Sequence, residues 1–210
     1  MNAPAAGLLH DARPGRFCPA DYRYAAASFD RTADVRADVL YVVGGLYGNA
    51  QALDAVQALA GREHGTVRIV FNGDFHWFDA DPAVFTRIER GVAAHVATRG
   101  NVETELASDD DAAGCGCAYP DSVSDADVAR SNAMLAALRD TARGVPGARE
   151  RLRALPMTRV AEVAGLRVGI VHGDAESLAG WSFAHDRLDA PDAPRRLREW
   201  FDAARVDVFA

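Results

Sequence analysis

The chain has 210 residues, 23 of them basic and 30 acidic, for a formal net charge of −7; 49% of it is hydrophobic and 25% charged. This balance excludes a disordered or fibrous chain and suits one compact domain that buries roughly 70% of its unfolded surface, enough for a core without disulfide or metal staples. The acidic excess disfavours a nucleic-acid partner, and no apolar run reaches the ~18 residues of a membrane helix.

Residues 1–37 are punctuated by Pro4, Pro14, Gly15 and Pro19 and carry no sustained period, which predicts an irregular N-terminal arm. The pattern then changes. Val39 to Val43 is a short, β-branched, wholly apolar run ending in Gly44-Gly45, as expected of a buried strand. Asn49 is a good helix cap, and Ala52, Leu53, Val56 and Leu59 recur at helical spacing up to Gly61. A second buried strand is predicted over Val67 to Phe71, broken by Asn72-Gly73-Asp74. A helix follows from Pro82, with Val84, Phe85, Ile88 and Val92 on one side. Two strand-then-helix units in succession imply a parallel sheet with helical crossovers.

His95 to Thr98 reads as a short strand running into Arg99-Gly100-Asn101, and residues 104–123 as a long loop rich in Asp, Gly and Cys. Ser124 or Asp125 can cap a helix to Arg143, and a shorter helix precedes Pro156. Met157 to Val163 and Leu166 to Val171 form a hairpin pattern around Ala164-Gly165, and the second run ends in His172-Gly173-Asp174. An amphipathic helix over Pro194 to Ala204 leads to a last strand-like run, Val206 to Ala210. An end inside a strand suggests a truncated chain.

Polar residues therefore collect after strands: Gly44 to Asn49, Gly73 to His76, Gly100 to Glu103 and His172 to Asp174. In open α/β sheets that edge is where ligands bind. Asp, Asn and His together are oxygen and imidazole donors suited to a divalent cation such as Mn, Fe, Zn or Mg. All 23 basic residues are arginine, which excludes lysine chemistry, Schiff bases and P-loop lysines included. The turn Gly44-Gly45-Leu46-Tyr47-Gly48 lacks the spacing of a dinucleotide loop.

The ordered motifs resemble those of the calcineurin-like metallophosphoesterases, over about Asp38 to Ala210. That family has Asp-x-His-Gly-Asn, then Gly-Asp, then Gly-Asn-His-Glu, then a later His, and finally Gly-His-x-His. Gly48-Asn49, Gly73-Asp74, Gly100-Asn101 with Glu103, and His172 fall in that order. The resemblance implies a layered α/β sheet sandwich spanning 38–210 with a loop and helical insertion at 104–156. It also implies metal-dependent hydrolysis of a small phosphorylated substrate. Asp74, Asn101 and His172 would be catalytic metal ligands, and Asn49, Tyr47, Arg99 and Asp174 substrate contacts.

Gly45 and Tyr47 stand where the family has its first Asp and His, Val102 where it has another His, and the last motif is absent. One half of a two-cation site is thus kept, giving a single-metal site or one completed by a substitute such as His76. A noncatalytic protein that keeps the fold and binds a phosphorylated ligand is the alternative. Turn or capping roles are the structural alternatives for Asp74 and Asn101, packing for His76. The odd count of three cysteines, with one residue between Cys115 and Cys117, argues against a mutual disulfide and for a reducing, cytoplasmic setting.

Overall fold

The computed structural model describes residues 13–210; the start of the expected arm, with Pro4 and His10, lies outside them. Fourteen strands and helices follow in chain order: β1 Val35–Ala37, β2 Val39–Val43, α1 Ala50–Ala60, β3 Val67–Asn72, α2 Pro82–Ala93, β4 Val96–Thr98, α3 Asn101–Ala107, α4 Asp125–Gly144, α5 Ala148–Ala154, β5 Thr158–Val163, β6 Leu166–Val171, α6 His185–Leu188, α7 Ala193–Ala204 and β7 Val208–Phe209. The chain is a mixed α/β protein.

Two sheets result. Strands β2, β3 and β4 are parallel with β3 in the middle, and β1, β5, β6 and β7 form a second sheet built on the antiparallel β5–β6 hairpin. Strand periodicity sends alternate residues to opposite faces. On β3, Ile69 and Phe71 enter a core with Leu53 of α1, Phe85 and Ile88 of α2, Leu106 of α3, Leu138 of α4 and Leu152 of α5, whereas Val70 faces the other sheet. There Val70 meets Val35, Ala161, Val168 and Ile170. Behind the second sheet, Phe29, Val160, Ala204 and Val206 make another core under α7. Helices, two sheets and a final helix are therefore layered in that order.

Local signals hold at most helix starts. Asn49 Oδ1 accepts the Ala52 N–H at 2.9 Å, Asp81 Oδ1 accepts Ala83 N–H at 2.8 Å ahead of Pro82, and Ser124 Oγ accepts Asp127 N–H at 3.2 Å. Two stretches differ from expectation. Residues 35–37, at the end of the expected arm, form β1 and pair with β5, locked by reciprocal bonds between Asp34 and Val160. Residues 101–107, expected as turn and loop, form α3, because Glu103 reaches back to the Gly100 N–H at 2.8 Å and starts a helix there. Among the described residues no helix is long and apolar enough to cross a membrane.

Candidate functional site at the strand edge

A buried polar chain draws the two sheets together at one edge. Thr98 Oγ1 donates to Asn72 Oδ1 at 3.0 Å, and Asn72 Nδ2 donates to the Val171 carbonyl at 2.6 Å, so the ends of β4, β3 and β6 are tied side by side. The turns beyond them meet in a very small space. Gly73 and Asp74 are both left-handed, at φ 71° and 48°, a conformation that costs a non-glycine residue about 1 kcal/mol or more. A β-carbon on Gly73 would stand 2.5 Å from the Gly100 nitrogen and 2.7 Å from His172 Nδ1, and one on Gly100 would collide with Asp74 Oδ1. Only glycine at both positions lets the three turns close on one another.

The donors then follow from carbonyl groups that can only accept. His172 Nδ1 lies 2.9 Å from the Asn72 carbonyl and must carry a proton; Asn101 Nδ2 donates to the Cys115 carbonyl at 2.9 Å, which turns Oδ1 inward. His172 Nε2 consequently faces Asn101 Oδ1 at 3.1 Å and Asp74 Oδ1 at 3.4 Å. Three lone-pair atoms converge. A proton on Nε2 satisfies them: burial opposes charge on the ring, but the Asp74 carboxylate outweighs it and the His172 pKa is raised to about 9. A divalent cation satisfies them equally, since two ligands ~2.1 Å from one ion at 90–110° are about 3.0–3.4 Å apart. Among the described residues no group of three or more His, Cys, Asp and Glu side chains is arranged to hold a metal ion; here the third donor is an amide oxygen.

Glu103 was visible in the sequence as one of a polar cluster and as a match to the resembled motif, without a role of its own, yet it organises the site. It is fully buried; Oε2 accepts the N–H groups of Asp74 and Gly100, both at 2.8 Å, and Oε1 that of His76 at 3.1 Å. Burial and then the nearby Asp74 charge push its pKa up. The usable signal was its spacing, three residues after a glycine at a helix start.

The donors lie in a cleft of about 400 Å³ whose walls include Tyr47, Cys117, Tyr119 and Trp181. Among the described residues lining it, His172 is the single basic one. Tyr47 is half exposed and stands edge-on to Phe78, 6.3 Å between centroids; burial, then Asp74, raise its pKa, so the hydroxyl keeps its proton. Trp181 is part of the cleft wall, its Nε1 donating to the Cys117 carbonyl at 3.0 Å.

Four expected site residues are not brought to the donors. His76 is fully buried, stacked on Phe85 at 3.8 Å, with Nδ1 2.7 Å from Asp79 Oδ2, because the chain turns inward after Asp74 and carries Phe75 and His76 into the core. Asn49 caps α1. Arg99 points to α5, where it donates to the Arg153 carbonyl at 3.1 Å, its side chain on the opposite side of the chain from Thr98. Asp174 folds the following loop, accepting Glu176 N–H at 3.0 Å and Ser182 N–H at 3.3 Å. The cysteine expectation is also corrected: Cys115 and Cys117 are bonded to each other, left-handed Gly116 between them bringing their Cα atoms to 5.4 Å.

No protein-family model matches the chain, and no curated protein does. Among solved structures it is similar to the hypothetical protein PH1004 from Pyrococcus horikoshii OT3, with 17% identity and a TM-score of 0.43 over 67% of this chain. The match spans 56% of that protein's length.

Proposed function

We propose that the chain hydrolyses the ester of a small phosphorylated molecule with one divalent cation, on a divergent calcineurin-like phosphoesterase fold working in the cytoplasm. The observation that carries this is the convergence of Asp74 Oδ1, Asn101 Oδ1 and His172 Nε2 within 3.4 Å of the imidazole nitrogen, in a cleft open to solutes. Three protein donors with room for further ligands is the usual form of a catalytic metal site. A cation bound there, Mn, Fe, Zn or Mg, would supply Lewis-acid polarisation of a phosphoryl oxygen and charge to offset the substrate's own.

The chain's residues do the rest. Asn72 and Cys115 fix the rings and amides so that the donors need no rearrangement on binding. Glu103 holds the Asp74 turn through the backbone, and the Asp74 carboxylate at the donors repels a bare phosphate unless a cation is present. Tyr47, with its proton retained, stands at the mouth as a donor to a phosphate oxygen.

Gly45 and Tyr47 offer no second set of ligands: the Tyr47 ring lies over Gly45, in the space a side chain at 45 would take. That observation favours a second reading, a noncatalytic binder of a phosphorylated ligand. Metal content of purified protein, after loading with Mn or Fe and removal of excess, separates both from a metal-free chain. About one equivalent that vanishes in Asp74→Ala is expected. Turnover of a phosphomonoester and phosphodiester panel by the loaded protein then supports hydrolysis, and its absence the binder; no metal in either protein overturns the cation.

A further inference from the structure

The geometry points to Cys115 and Cys117 as a thiol–disulfide exchange site in the cleft wall, open to a small dithiol and coupling its redox state to the hold on Asn101 and Trp181. The two sulfurs are bonded, and they are not equivalent. Cys115 is fully buried, whereas Cys117 is part-buried and lines the cleft, so Cys117 Sγ is the atom an incoming thiolate can reach. Such an attack must come along the disulfide axis at an accessible sulfur. The third thiol belongs elsewhere: Cys18 Sγ lies 3.2 Å from Ser177 Oγ.

What the crosslink fixes is the peptide on either side of it. The segment alternates cysteines with left-handed residues, Gly114 at φ 63°, Gly116 at 66° and Ala118 at 48°. That backbone aims the two cysteine carbonyls at different cleft residues: Cys115 C=O accepts from Asn101 Nδ2 at 2.9 Å, and Cys117 C=O accepts from Trp181 Nε1 at 3.0 Å. Asn101 in turn places Oδ1 3.1 Å from His172 Nε2. Opening the small ring removes the covalent tie between the two cysteine peptides, and the two side chains then face acceptors that are no longer held at one fixed spacing.

The chemistry balances with a dithiol as reductant. Its thiolate attacks Cys117 Sγ, the Cys115–Cys117 bond breaks, and Cys115 leaves as a thiolate that takes up a proton. The second thiolate of the reagent then attacks its own mixed-disulfide sulfur and releases Cys117, which is protonated in turn. Two electrons and two protons pass from the dithiol, now a cyclic disulfide, to the two cysteines; the reverse reoxidises them. Disulfides of this kind in reducing compartments are characteristically regulatory or catalytic rather than structural. The proposal stands whether or not a cation is held.

The test equilibrates the full-length protein with graded ratios of reduced to oxidised dithiothreitol, quenches in acid, alkylates in denaturant and maps the alkylated cysteines by mass spectrometry. One labelled cysteine, Cys18, is expected at the oxidising end and all three at the reducing end, in a single two-electron transition. Along the same transition the Trp181 emission and the Asn101 side-chain amide resonance are expected to shift. The Trp181 signal is assigned by its loss in Trp181→Phe, a half-exposed position. Cys115→Ser with Cys117→Ser is expected to hold the reduced-state signals at every ratio. Three labelled cysteines at every ratio, or a crosslink involving Cys18, would overturn the exchange site. A transition that leaves both Trp181 and Asn101 unmoved would overturn the coupling.

Discussion

Glu103 and Glu105 sit two residues apart on α3, both buried, both pushed to higher pKa first by burial, and they solve the problem of a buried acid in opposite ways. Glu105 has a permanent counter-charge: Arg139 Nη2 lies 2.8 Å from Oε2 and the Tyr22 hydroxyl donates to Oε1 at 2.6 Å. Glu103 has none. It is held by three backbone N–H groups, beside the second carboxylate, Asp74, and the cation that faces this pair is His172. A buried acid matched by arginine is a structural tie, whereas a pair of acids matched only by imidazole is poised to take a proton or a metal.

The largest way to break this contrast is Arg139→Met. It strands Glu105 and Tyr22 in the core, and a loss of ~3–5 kcal/mol in urea unfolding is expected. Adding Glu105→Leu should recover much of it. A single-variant loss under ~1 kcal/mol would mean that the arginine is not what makes Glu105 tolerable.

The imidazole side differs because it titrates. In metal-free protein His172 has its folded pKa raised from 6.5 to about 9, so its contribution to stability is complete below 6.5 and is lost as pH rises through 9. Urea midpoints should fall over that window, with a slope of at most about 1.4 kcal/mol per pH unit, and His172→Gln should flatten the fall. Glu105 adds the same sign at lower pH, since its raised pKa favours the folded state most below the ordinary carboxylate value. Midpoints that rise between pH 6.5 and 9 would contradict the contact with Asp74.

A smaller change, Glu103→Gln, keeps the shape and removes the charge. One amide oxygen can still serve Asp74 and Gly100, but the new NH₂ would face the His76 N–H, donor against donor. A cost of ~1–3 kcal/mol is expected. If the Asp74 turn is what Glu103 holds, metal content should fall as well; destabilisation with metal uptake unchanged would make Glu103 a purely structural residue like Glu105.

The individual elements were legible because strands and helices announce themselves by period: Val39 to Val43 and Val67 to Phe71 are strands where expected, and α1, α2, α4 and α7 begin within a residue or two of their caps. The clustering of Asp74, Asn101 and His172 was legible for a different reason, because each comes just after a buried strand, at the end where α/β sheets bind ligands. Side-chain direction was not. His76 is two residues from Asp74 and yet points into the core, because left-handed Asp74 reverses the chain, a dihedral that no composition signal reports. Arg99 and Asp174 were lost the same way, each spent on a carbonyl or on amides nearer than the cleft. Glu103 and the cysteine carbonyls act through backbone groups, which residue identity does not reveal.

The smallest expected effect concerns the other end of the cleft, where Gly45 and Tyr47 replace ligands of the resembled family. A β-carbon at 45 would run into the Tyr47 ring, so the two departures depend on one another: the ring can lie where it does only over glycine. Since Tyr47 is 48% exposed, its ring can swing outward, and Gly45→Ala should cost no more than about 0.5–1 kcal/mol. In a Tyr47→Ala background the same substitution should be neutral, a coupling measurable by a double-mutant cycle in urea. Equal costs in both backgrounds would mean that backbone, not the ring, forbids a side chain at 45. A coupling of the expected sign would mean that the half-site lacking donors is closed by a movable side chain, while the half with Asp74 and His172 is fixed by glycines that no rotamer change can relieve.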